Sequence, residues 1–330
     1  MRRFLVAVTA ALLLITGCGG SPDGGAAAQA TTVRLGFSAW PGWFPWQVAQ
    51  EQGLFAKNGV TVDLKYFESY TDSLTALSTG NLDANSQTLN DTLSSVSGGA
   101  KQTVVLVNDN STGNDQIIAQ PGINSIADLK GKKVAAEQGT VDHYLLLLAL
   151  QEAGLTEKDI QFTPLLTDAA AAAFVAGQVD AVGVFAPFTT TALERKGSKV
   201  IASSKDFPGA IPDHLVFSAD FVEEHQAEVQ AMVQTWFDTT AWITANPDKA
   251  VDIMAKRGGV SAADYQTYDA GTTIFTRQQN LDAFASGSTP ASLEFQADRI
   301  GDFLVDTGLA DAKPPLDGLL EPRFVQAVRG

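Results

Sequence analysis

"ALSTGNLDA" at residues 76–84 and "AFVAGQVDA" at residues 173–181 carry Ala, Gly, Asp and Ala at matching places, with Asp83 and Asp180 97 residues apart. Upstream of each lies a Gly-Leu followed by a strand-like run, "GLFAKNGVTVDLKYF" (53–67) and "GLTEKDIQFTPLL" (154–166). Each copy is a helix-Gly-strand unit. Two such units are too few for a solenoid, and they predict paired α/β domains that face each other across a cleft.

The segments around them keep the same rhythm. "VRLGFS" (33–38) reads as a first strand, "PWQVAQEQGLFAKNG" (45–59) as a helix ending at a glycine, and "VTVDLKYF" (60–67) as the next strand. "TDSLTALSTG" (71–80) reads as a helix capped by Thr71 or Asp72. Such alternation predicts an α/β fold with mainly parallel strands. After residue 215 long amphipathic segments take over; in "SADFVEEHQAEVQAMVQTWFDTTAWITANP" (218–247) Phe221, Val229, Met232, Val233, Trp236 and Phe237 recur at helical spacing. That spacing assigns Trp236 and Trp242 to a core. Trp46, just after Pro45 in the predicted helix, is read as a core anchor too.

The 330 residues, 45% hydrophobic and 18% charged, are those of a folded protein large enough for two lobes. Residues 1–17, Arg2 and Arg3 followed by "FLVAVTAALLLITG", read as a signal peptide whose apolar run is too short to span a membrane. The run stops at Cys18, the sole cysteine, and "ITGC" resembles the bacterial lipoprotein signal, in which the cysteine is acylated. Residues 18–32 then form a Gly/Ala/Ser tether. Removing the signal leaves 20 basic against 37 acidic residues, a formal charge of −17 that disfavours a nucleic-acid partner. One cysteine excludes a disulfide framework, and the three histidines form no metal motif. The expectation is no cofactor, no metal, and a monomer on the outer side of the cell membrane, anchored through Cys18.

"GLFAKNGVTVDL", "GNLDA", "DLKGKKVAAEQGTVDHYLL" (128–146), "FVAGQVDAVGVFAPF" (174–188) and the helix after "SADF" occur in an order that resembles the substrate-binding proteins of bacterial ABC importers. The resemblance covers residues 33–260 and is to the group that includes nitrate-, sulfonate- and taurine-binding proteins. It implies a two-lobed periplasmic-binding-protein-like fold of type II, each lobe a mixed sheet flanked by helices, with a hinge of two strands and ligand between the lobes. Residues 33–119 and 216–330 would form lobe I and residues 120–215 lobe II. Closure would present the loaded form to an ABC permease.

The same resemblance places ligand at the strand ends. The loops there are Trp40 to Trp43, "NSQTLND" (85–91) with Gln87 and Asp91, "NDNSTGND" (108–115) with Asp109, Asn110 and Asp115, and "EQGTVDH" (137–143) with Glu137, Thr140, Asp142 and His143. "FAPF" (185–188) adds Phe185 and Phe188, and "PDH" (212–214) adds Asp213 and His214. The family's oxyanion binders use backbone N–H groups, hydroxyls and often a basic side chain. These six loops hold no lysine or arginine and six acids, so closing them on an anion would leave like charges unpaired. A small nitrogen-containing cation such as guanidine reverses the sign, and Trp40 and Trp43, facing Phe185 and Phe188, would stack on it. "EQGT" before a predicted helix points the other way, because it resembles an anion nest. Nitrate, sulfonate, taurine or bicarbonate is the alternative ligand. A biosynthetic enzyme on the same fold is the rival class, without a nucleophile motif in the chain.

Overall fold

The computed structural model describes residues 31–329, so the signal-like stretch, Cys18 and nearly all of the tether lie outside the described residues. The first sheet-forming segment runs β1 (Thr32–Ser38), α1 (Pro45–Glu51), α2 (Leu54–Lys57), β2 (Thr61–Phe67), α3 (Tyr70–Ser78), β3 (Ala84–Thr88), α4 (Leu89–Ser97) and β4 (Gln102–Ser111). A single helix over 45–59 is the sequence expectation. The structure breaks it at Gly53, whose φ of +67° suits a residue without a side chain. The cap of α3 is Ser69, its hydroxyl accepting the Asp72 N–H at 3.2 Å, in place of Thr71 or Asp72.

The chain continues through β5 (Asp115–Ala119), β6 (Lys133–Ala136), α5 (Val141–Glu152), β7 (Gln161–Pro164), α6 (Thr167–Val175), β8 (Ala181–Phe185), α7 (Phe188–Leu193) and β9 (Lys199–Ser203). It returns with β10 (Pro212–Ser218), α8 (Ala219–Glu224), α9 (Gln226–Ala245) and β11 (Thr272–Ile274) among further C-terminal helices. The strand orders are β2-β1-β3-β10-β4-β11 and β7-β6-β8-β5-β9. Read this way, the two sheets match place for place. In each, a parallel β-α-β-α-β unit supplies the first three strands, and the fourth, antiparallel strand arrives from the other sheet.

The duplicated aspartates do the same work in both halves. Asp83 accepts the Arg34 N–H at the start of β1 at 2.8 Å, and Asp180 accepts the Lys133 N–H at the start of β6 at 2.9 Å. A carboxylate before the third strand thus fixes the start of its neighbour. The antiparallel strands make both sheets mixed, where the rhythm alone predicts mainly parallel pairing.

Two segments cross between the sheets, Thr112–Asn114 from β4 to β5 and residues 204–211 from β9 to β10. β5, which the sequence reading puts in the first lobe with a boundary at residue 119, pairs in the second sheet. The crossings are tied together: the Ser111 N–H donates to the Ile211 carbonyl at 2.9 Å, and the Ser204 hydroxyl meets the Ser111 hydroxyl and the Gly113 N–H, each at 2.7 Å. Trp46 is fully buried, donates Nε1–H to the Ser86 hydroxyl at 2.8 Å and packs 4.8 Å from Trp236. Trp242 is only half-buried at the core edge, with the Lys249 ammonium 5.5 Å above its ring. The long helix α9 packs on α1 and α2 of the first lobe, and the segments after β1 and β3 meet those after β6 and β8 of the second lobe, where the site lies.

Candidate functional site

The turn after β1 builds one wall. Trp43 N–H donates to the Trp40 carbonyl at 3.0 Å across Pro41-Gly42, which turns both indoles inward. Gly42 is required by space: a Cβ there would overlap the Asp109 carboxylate. Asp109 in turn accepts Trp40 Nε1–H at 2.9 Å. The ring centroids of Trp40 and Trp43 are 6.4 Å apart, Phe185 from the end of β8 stands edge-on 6.4 Å from Trp40, and Tyr70, the first residue of α3, lies 5.4 Å from Trp43 and 6.2 Å from Phe185. Four aromatic rings therefore form a box drawn from both lobes. It encloses a small cavity completed by Thr88, Asp115, Val141, Ile211 and Asp213.

The box is backed by carboxyl groups. Asp91, Asp109, Asp115, Asp142 and Asp213 are all buried, and no lysine or arginine is among the groups that perturb any of them. Burial pushes Asp91, Asp109 and Asp115 up to about 7, only partly offset by hydrogen bonds from Thr88 to Asp91, Trp40 to Asp109 and Ser111 to Asp115. Asp213, opposite Asp109 on the paired strand, is pushed well above the carboxylate range by burial and by the charges of Asp109 and Asp115. The contact between the two carboxyl groups raises Asp213 and lowers Asp109. Burial and the neighbouring acids raise Asp142 in the same way. Asp109 Oδ2, Asp115 Oδ2 and Asp213 Oδ2 have no hydrogen-bond partner, nor has the indole N–H of Trp43. Among the described residues no three His, Cys, Asp or Glu side chains gather as they would around a metal ion; the carboxyls are spread around the aromatic box instead.

Trp40, Trp43, Phe185, Asp115 and Asp213 from the sequence reading line the cavity, and Asp109 and Asp91 support it from behind. Glu137 is used elsewhere: it bonds Thr71 and Thr167 on either side of the cleft. Thr140 caps α5 and donates to the Glu137 carbonyl at 2.9 Å. Phe188 packs 5.6 Å from Phe185 and faces an outer cavity beside Glu68 and Asp168. Gln87, Asn110, His143 and His214 line neither of these cavities. Gln87 spends its amide on Thr92 and Gln102, and Asn110 donates to the Ser111 carbonyl. His143 pairs with Glu157 at 2.5 Å and stacks on Phe162, its pKa lowered by burial against the opposing pull of Glu157. His214 is fully buried with neither ring nitrogen partnered, and burial drives its pKa down to about 3. Sequence reasoning misses Tyr70, Thr88, Val141 and Ile211. The strand-end rule applied to the loop after β2 would have found Tyr70.

Residues 26–257 match the family described as the NMT1-like family. A provisionally named binding protein of Brucella abortus is 31% identical over 291 residues, covering 86% of this chain and 88% of that protein. The taurine-binding periplasmic protein of Escherichia coli is 28% identical over 263 residues, with 76% and 81% covered. The alkanesulfonate-binding protein SsuA from Xanthomonas axonopodis pv. citri, solved bound to MOPS, superposes with a TM-score of 0.76 at 19% identity, over 90% of this chain and 100% of that one. A two-lobed binding-protein fold with an aromatic, acidic interlobe cavity defines the class. The chain belongs to the NMT1-like family.

The raised aspartate pKa values set a pH dependence. The closed, ligand-free chain binds more protons than the unfolded chain between the ordinary carboxylate pKa and about 7, so its stability is greatest below that window and falls as pH rises through it. The thermal midpoint of ligand-free protein is expected to drop between about pH 5 and 8, and the drop to shrink in Asp109→Asn and Asp213→Asn. A slope equal in wild type and both variants would show that these carboxyls are solvated.

Proposed function

We propose that this chain is the extracytoplasmic receptor of an ABC importer, capturing a small nitrogen-containing cation by lobe closure and handing it to a membrane permease. The reading as a binding protein is supported by the family and by the names of the relatives. The relatives named for taurine and alkanesulfonate make oxyanions the default ligand, and one observation turns the choice: Asp115 and Asp213, each with a buried carboxyl oxygen that has no partner, line an aromatic box with no basic side chain in its lining. An anion there would meet like charge in a desolvated site, whereas a cation supplies the missing charge.

Among such cations we favour guanidinium. Its planar shape suits aromatic walls such as Trp40, Trp43, Tyr70 and Phe185, a desolvated cation–ring contact contributing about 2 kcal/mol, and its in-plane donors suit Asp115, Asp213 and the Thr88 hydroxyl in the same lining. The unpartnered Trp43 N–H favours a second reading, a guanidino or amidino cation carrying one acceptor atom. No bond-making chemistry is required of these residues, and their role is capture.

Calorimetry and thermal shift against guanidine, methylguanidine, hydroxyguanidine, urea, nitrate, taurine and an alkanesulfonate separate these readings. A guanidinium compound is expected to bind most tightly, neutral urea far more weakly. Ligand at 100 times its dissociation constant would add about 2.7 kcal/mol of stability. Asp109→Asn or Asp115→Asn should weaken the cation at least roughly tenfold, about 1.4 kcal/mol. Tight taurine or nitrate binding unharmed by both substitutions would restore the oxyanion reading.

The anchoring through Cys18 is part of the same proposal, since a receptor held at the membrane stays near its permease. Palmitate label should enter the wild-type chain and disappear in Cys18→Ala. Label that persists in the variant removes the anchor from the account.

A further inference from the structure

Glu137, just past the end of β6, is gripped from both sides of the cleft. Thr71, in the first turn of α3, donates its backbone N–H at 3.3 Å and its hydroxyl to Oε1. Thr167, the first residue of α6, donates its N–H at 3.2 Å and its hydroxyl at 2.7 Å to Oε2. Both helices are nine residues long, and the unpaired N–H groups and positive dipole end of each converge on this one carboxylate. The Thr167 hydroxyl also lies 2.7 Å from Asp142 Oδ2. One hydroxyl has one proton to give, so Glu137 and Asp142 share the Thr167 donor. Ser38 borders the same outer cavity as Glu137 and Thr167, and its buried hydroxyl has no partner.

We propose that the N-termini of α3 and α6 form an anion site split between the two lobes, which the chain fills with its own Glu137 carboxylate. The closed form is latched by an internal anion, and this leaves the inner cavity free for a cation. Anion capture at helix N-termini and cation capture in the aromatic box then belong to one closing motion. A free anion of matching chemistry, such as formate or acetate, enters the site only when the Glu137 side chain is removed. The inference rests on the lobe closure proposed above and not on which cation closes the lobes.

Paired spin labels, one in each lobe, report the closed fraction, and guanidinium is the probe cation. In Glu137→Ala the closed fraction and the guanidinium affinity are expected to fall at least tenfold, with faster dissociation. Formate should restore both, chloride at equal ionic strength should restore less, and wild type should respond to neither. A loss that formate does not reverse, or no loss at all, overturns the split anion site. Thr71→Val keeps Glu137 and its charge but removes one donor; it should lose closure partially, without rescue by formate, and wild-type closure in this variant also overturns the latch. Should wild type ignore guanidinium, the cation reading fails alone, and the latch is decided by the closed fractions of ligand-free wild type and variants at low pH, where protonated aspartates let the cavity shut.

Discussion

Five aspartates buried in one cleft, with no basic side chain lining it, are the constraint around which the closed structure is organised. A buried carboxylate without a counter-charge costs several kcal/mol, and in proteins such groups protonate instead. Burial pushes Asp213 and Asp142 well toward that state and raises Asp91, Asp109 and Asp115 to about 7. The empty closed form is therefore held at a disadvantage above about pH 7 that a cation would remove. This is a thermodynamic coupling of ligand to closure, because a ligand shifts an equilibrium only by its differential affinity for the two states.

The fold places the acids where that coupling works. Asp109 and Asp213 lie across from each other on β4 and β10, the strands that feed the two crossings, and Asp115 begins β5 immediately after the first crossing. Three of the five acids thus sit at the junction that any lobe rotation must bend. Serine contacts between Ser111, Ser204 and Gly113 hold the crossings together, and the aromatic rings come from the far ends of both lobes. On the proposed lobe motion, opening would separate Trp40, Trp43 and Tyr70 from Phe185 and return the acids to water.

Much of this was legible in the chain. The duplicated "G-x-[Leu/Val]-D-A" units forecast two matching lobes, since an aspartate placed to hold a neighbouring strand is a local device copied with its unit. The tryptophans flanking Pro-Gly after the first strand point to the aromatic wall, and the acid-rich, base-free loops to a lining with Asp115 and Asp213 and no lysine or arginine. Side-chain direction was not legible. Every residue of β3 is buried, so no alternation of polar and apolar positions shows that Gln87 faces Thr92 and Gln102 and not the cleft. The apolar run of α5 is buried nearly all round, leaving no stripe to show that His143 turns to Glu157 and Phe162. The sequence places Glu137 among the ligand contacts, and only the arrival of Thr71 from the other lobe reveals what its carboxylate holds.

The central claim is that a cation takes the place of protons in the closed cavity, and proton linkage tests it most directly. Titrating the protein with guanidinium near pH 7 in two buffers of different ionisation enthalpy separates the heat of binding from the heat of proton exchange. The account predicts net proton release, about one proton per cation or more, fading as pH rises well above the aspartate pKa values. Binding with no proton release, or with proton uptake, would contradict it.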